Sequence, residues 1–153
     1  MELYIGGNLD PHPYVEELKR VAAEKSWLHL TGPLYGREKE RFLLSGTYAI
    51  HAEKDEAFGI SVTEYLKAGN IVLVPDDGGT VEIVDDPELT YHSDREAAEI
   101  LARLVSDGEF RESKRSHCLA CGEKFSPDRY RERQHRLLTA LLRECGATEE
   151  ELS

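Results

Sequence analysis

The chain is 153 residues long, room for one domain with or without a tail, and 40% hydrophobic against 32% charged residues allow a buried core behind a polar surface. That balance excludes intrinsic disorder and collagen-like repetition, and no stretch approaches the ~20 apolar residues that a bilayer span needs. The net charge of −11 is uneven: residues 1–110 hold 10 Lys and Arg against 22 Asp and Glu, whereas residues 111–143 hold 9 against 4. An acidic body lacks the positive field that phosphate backbones require, which argues against nucleic-acid binding. Three cysteines, an odd number in a chain long enough to fold without staples, argue against a disulfide framework. The acidic start MELYIGG is unlike a signal peptide, so the expected location is cytoplasmic.

Along the chain, apolar runs alternate with helical patterns. Leu3-Tyr4-Ile5 before Gly6-Gly7 reads as a short buried strand and turn, and Asp10-Pro11 as the N-cap and first turn of a helix bearing Val15, Leu18, Val21 and Ala22 on one face. Trp27–Leu30 followed by Thr31-Gly32-Pro33 is a second strand and turn. Glu38–Leu44 is a short helix and Tyr48–His51 a third strand. Gly59–Ala68 is helical, with Gly69 past its end. Ile71–Val74, closed by Pro75, is the most strand-like run. Asp77-Gly78-Gly79 leads into a helical turn, and Leu89-Thr90-Tyr91 is a last strand. Ser93 and Glu96 have capping-box spacing at the head of a helix reaching about Val105. Two helices finish the chain, the second opening at Ser126-Pro127 with Tyr130, Leu137, Leu138, Leu141 and Leu142 on one face. Continuous apolar strands, each followed by a helix, predict an α/β Rossmann-like, doubly wound parallel sheet.

Such sheets bind ligands at the carboxyl ends of their strands, which directs attention to the loops at 6–10, 31–36, 52–58 and 76–80. The third carries Glu56-Ala57-Phe58-Gly59-Ile60, with Glu64 eight positions after Glu56. A glycine at a helix N-terminus lets backbone amides approach an anion, and the helix dipole favours phosphate there. Without further information, Glu56 and Glu64 read as solvated acids on an acidic surface.

The segment from about Ile50 to Tyr91 resembles the donor-binding half of the group 1 (GT-B) retaining glycosyltransferases. It does so through Glu56–Ile60, Glu64, the run Tyr65–Gly69, the strand Ile71–Val74, and Asp77-Gly78-Gly79 with Glu82-Ile83-Val84. Leu3–Gly7, Leu30–Gly32 and Phe125-Ser126 fit as well, and the wording from Phe58 to Tyr65 is most similar to the mannosyltransferases. The resemblance implies that Glu64 binds the ribose hydroxyls of a GDP- or UDP-linked sugar and that amides around Phe58, Gly59 and Ile60 meet the diphosphate. It implies further that Glu56 is the catalytic carboxylate at the donor sugar, that Leu34 or Tyr35 lies against the base, and that Gly78 and Gly79 border the sugar pocket. No cofactor or metal is implied; the nucleotide sugar is the substrate and a glycan or lipid-linked molecule the acceptor.

Family members also carry an amino-terminal acceptor-binding domain and, in the donor domain's first strand and helix, cations that neutralise the departing diphosphate. Neither has a counterpart here, so the expectation is the C-terminal half of a GT-B fold, partnered by that domain and inactive alone. Within it, residues 1–109 are expected to form the sugar-nucleotide domain, residues 110–146 helices that pack on it, and residues 147–153 a tail. The basic segment at Arg111–Arg143 suits domain docking or anionic lipid heads at the inner face of the membrane better than nucleic acid. Cys118-x-x-Cys121 lacks a second ligand pair, so buried small residues are expected there rather than zinc. The competing readings are a nucleotide-binding module without transfer and a response-regulator-like scaffold; the latter wants acids where Gly6-Gly7 stand.

Overall fold

The computed structural model describes residues 1–145, which divide into two units, one ending at Ser45 and the other starting at Gly46. In the first unit, β1 (Leu3–Gly6), α1 (Pro13–Glu24), β2 (Leu28–Gly32) and α2 (Gly36–Ser45) follow one another. β1 and β2 pair in parallel, Leu3 opposite Leu28 and Ile5 opposite Leu30, with a register slip between Ile5 and Gly6. Val15, Leu18, Val21 and Ala22 are the half-buried residues of α1, as their spacing predicts. The cap moves, however. His12 takes the N-cap, its side chain accepting from the Tyr14 amide, because Pro13 supplies the preset φ of the first helical position. Asp10 closes an earlier turn with Asn8 instead. β1 is less buried than expected: Leu3 and Tyr4 are exposed, and Tyr4 stacks on His29 at a centroid separation of 4.6 Å.

The second unit is built around β4 (Ile71–Pro75), whose five residues are all buried. β3 (Tyr48–Ile50) pairs with it on one side and β5 (Thr90–Tyr91) on the other, both in parallel. The expected parallel pairing therefore holds throughout, spread over a two-stranded and a three-stranded sheet. α3 (Ile60–Lys67) joins β3 to β4, and α4 (Thr80–Val84) leads from β4 through a single 3₁₀ turn (Pro87–Leu89) to β5. That turn takes Leu89 out of the last strand, because the Asp86 side chain accepts from the Glu88 amide at 2.9 Å ahead of the helical Pro87.

α5 (Asp94–Ser106), α6 (Gly108–Glu123) and α7 (Pro127–Glu144) complete the unit. Ser93 caps α5 by accepting from the Glu96 amide, and Glu96 reaches back to the His92 amide at 2.7 Å, so the capping box closes one residue earlier than the usual pairing. Asp107 ends α5 and caps α6 through the Phe110 amide. The core joins Val62 and Leu66 of α3 to β4, Ile83, Val84, Leu89, Leu104, Phe110, Cys118 and Cys121. α6 can sit this close to α3 because of Gly122: a Cβ there would lie 2.9 Å from the Leu66 carbonyl carbon. None of the residues of α7 is buried. Among the described residues, no helix is long and apolar enough to cross a membrane. The expected tail at 147–153 lies outside the described residues.

Candidate functional site

Two loops meet at the carboxyl ends of β3 and β4. One runs from His51 to Gly59; the other is the turn at residues 76–79. Gly59 adopts a left-handed conformation (φ +77°), and a Cβ there would lie 2.7 Å from the Thr80 methyl carbon, so α3 can begin here only on glycine. Gly78 is also left-handed (φ +71°), and its Cβ would stand 2.6 Å from the Glu56 carbonyl oxygen. A Cβ on Gly79 would run into the Ala57 carbonyl, while the Gly79 amide donates to the Glu56 carbonyl at 2.8 Å. The two glycines thus let one loop's backbone lie directly on the other's.

The Glu56 side chain turns inward at this junction. Its Oε1 accepts from the Gly59 amide at 3.1 Å and from the Phe58 amide at 3.3 Å. Those two amides, with nearby His51 contributing, hold the carboxyl below the ordinary carboxylate range. Glu56 is therefore held within the turn just ahead of α3, where two backbone amides donate to it. Phe58 leaves its ring half in solvent, edge-on to Phe125 at 6.1 Å. Ile60 points outward, and Glu64, fifth residue of α3 and half-buried, lies about 6 Å further along the axis at ~1.5 Å per residue. Seven residues proposed from the sequence thus occupy one loop–helix–turn assembly: Glu56, Phe58, Gly59, Ile60, Glu64, Gly78 and Gly79. Leu34 and Tyr35 belong to the first unit, where Leu34 packs by Gly6 and Tyr35 is exposed.

Three neighbours were not singled out from the sequence, although Lys54 and Thr80 lie in loops it pointed to. Thr80 is fully buried and fills the space against Gly59. Lys54 and His92 line a cavity of about 150 Å³ with Asp76, Asp77 and Asp94, where His92 Nδ1 lies 2.9 Å from Asp76 Oδ2. Each comes from a different connection, so no spacing along the chain links them. His51 is held by its backbone, its amide donating to the Leu73 carbonyl and its carbonyl accepting from the Tyr91 hydroxyl at 2.6 Å. Its Nε2 is buried with no hydrogen-bond partner among the described residues.

Parallel strands, a left-handed glycine ahead of a helix and a carboxylate seated on the amides of the turn before it define an α/β fold with a loop junction at its strand ends. The family model "Glycosyl transferases group 1" matches residues 3–118, and the chain belongs to that family. A search of curated proteins found none that matches the chain.

Proposed function

We propose that the chain is the sugar-nucleotide-binding part of a retaining glycosyltransferase that takes a hexose such as mannose from a GDP- or UDP-linked donor. The observation that carries this reading is the occupied pair of amides in the turn just ahead of α3. The Phe58 and Gly59 amides hold a carboxylate in a cradle that only glycine at 59, 78 and 79 permits. Amides aimed at one anion are arranged for another, and a diphosphate presents the same oxygen acceptors with more charge. On this reading Glu64 accepts from the ribose hydroxyls and the Gly78-Gly79 turn borders the sugar. Glu56 serves the sugar carbon, which becomes cationic as the bond to phosphate breaks.

The chemistry needs neither cofactor nor metal in this proposal: the leaving diphosphate is stabilised by preorganised amides of this chain and by cations from elsewhere in the enzyme. The acceptor, a glycan or lipid-linked molecule, is presented by an amino-terminal domain of the same enzyme. The protein works in the cytoplasm, peripheral to the inner face of the membrane through its basic helices. Nucleic acid is not a partner. A nucleotide-binding module without transfer uses the same residues, and kinetics separates the two.

Titration of the chain with GDP, UDP and ADP and their sugars should reveal one preferred base, and failure of all to bind would sink the reading. In the full-length enzyme, Glu64→Gln should raise the donor KM roughly ten- to a hundred-fold, because the ribose is held alike before and during transfer. Glu56→Gln should fall chiefly on kcat. The reverse pattern would exchange the two roles.

A further inference from the structure

Two facts about the loop conflict with a donor in place. The Phe58 and Gly59 amides that would receive a diphosphate are bonded to the Glu56 carboxylate. Two anions at one pair of amides repel, so a diphosphate that takes those donors must displace the carboxylate. A displaced carboxylate gives up two amide donors, and a donor close by can fix it in one place where water would not. One polar group in this region is already without a partner among the described residues: the buried Nε2 of His51, at the end of β3 and five residues before Glu56. A buried nitrogen left unsatisfied is costly, and a fold retains one where the group has another use. His51 is anchored at both its amide and its carbonyl, so its ring stays at the base of the loop. It also lies near enough to favour the ionised form of the Glu56 carboxylate.

We propose that His51 is a positioning residue for donor binding: when a nucleoside diphosphate takes the Phe58 and Gly59 amides, the Glu56 carboxylate leaves them and accepts from His51 Nε2–H. No covalent bond changes; one set of hydrogen bonds is exchanged for another, and the buried His51 Nε2 gains a partner. The carboxylate is thereby fixed beside the incoming sugar. The inference rests on the donor-binding reading and adds to it a residue and a movement.

The test is a double-mutant cycle on the chain as it stands, titrated calorimetrically with GDP, UDP, GDP-mannose and UDP-glucose. His51→Leu, which keeps bulk and removes the donor, should weaken binding of the preferred nucleotide about tenfold in the wild-type background. The same change in a Glu56→Gln background should weaken it by less than about twofold, since the charge that needs His51 is gone. His51→Gln, which restores an N–H, should recover most of the affinity, an outcome that mere packing would not produce. Equal losses in both backgrounds would overturn the exchange while leaving donor binding intact. If none of the four ligands binds the unmutated chain, the donor-binding reading and the exchange fall together. Should His51→Leu not fold, imidazole ¹⁵N spectra of the wild type decide. Nucleotide addition should shift the His51 Nε2 resonance, and an unmoved resonance in a nucleotide-bound chain overturns the proposal.

Discussion

The three cysteines show how a single side chain's environment sets its chemistry. Cys118 is fully buried in α6, and burial pushes its thiol up to about 11. Cys121 is buried too and is shifted in the same direction for the same reason. His117 does not rescue it. Its Nε2 lies 2.7 Å from the Val84 carbonyl, a bond that requires the nitrogen to carry the proton, so the same atom cannot withdraw one from Cys121 Sγ 3.4 Å away. Only the thiolate reacts, so both should be inert in the native chain, whereas exposed Cys145 should not be. A chromogenic disulfide reagent is expected to titrate one thiol quickly and the other two only after denaturant is added, with Cys145→Ser removing the fast phase. Rapid loss of two or more would contradict the burial argument. The neighbouring Lys114 obeys the complementary rule: it is buried and charged, and both Asp86 and Glu88 lie 2.7 Å from its ammonium group.

At the scale of elements, the site depends on backbone lying on backbone. Gly78 is left-handed and faces the Glu56 carbonyl at a distance no Cβ tolerates, so Gly78→Ala must strain the turn or lift the loop. Destabilisation of about 1–3 kcal/mol is expected in chemical denaturation, with a larger proportional loss in nucleotide binding. Gly108→Ala is the matched comparison in the same unit. It opens α6 with only the far end of Arg111 near the new methyl, and it should be neutral or stabilising by about 0.4–1 kcal/mol. Equal effects at the two positions would mean that the loop contact matters little. α7 illustrates the opposite case. Its apolar face was legible from the spacing of Tyr130, Leu137, Leu138, Leu141 and Leu142, yet all five are exposed. Periodicity reports which face is apolar, not whether anything covers it.

For the whole molecule, the asymmetry of the core is the main physical fact. The cluster centred on β4 lies entirely beyond residue 45, whereas Leu28 is the sole buried large apolar residue described in the first unit. Residues 46–153 expressed alone should therefore unfold in one cooperative transition, and residues 1–45 alone should not. Circular dichroism melts of the two pieces check this, and a broad, non-cooperative melt of the larger piece would refute it. The sequence by itself determined the order of elements, the parallel pairing, the glycine turns and the cap at Ser93. These follow from local sterics and from an apolar pattern that spans a few residues. It also placed Glu56 beside a helix start. Only the tertiary structure decided that Gly78 and Gly79 support the Glu56 loop and that His51 Nε2 is left without a partner among the described residues. Those outcomes depend on which loops meet across a sheet. Residues separated by more than 20 positions become neighbours there, and no periodicity along a chain records such a meeting.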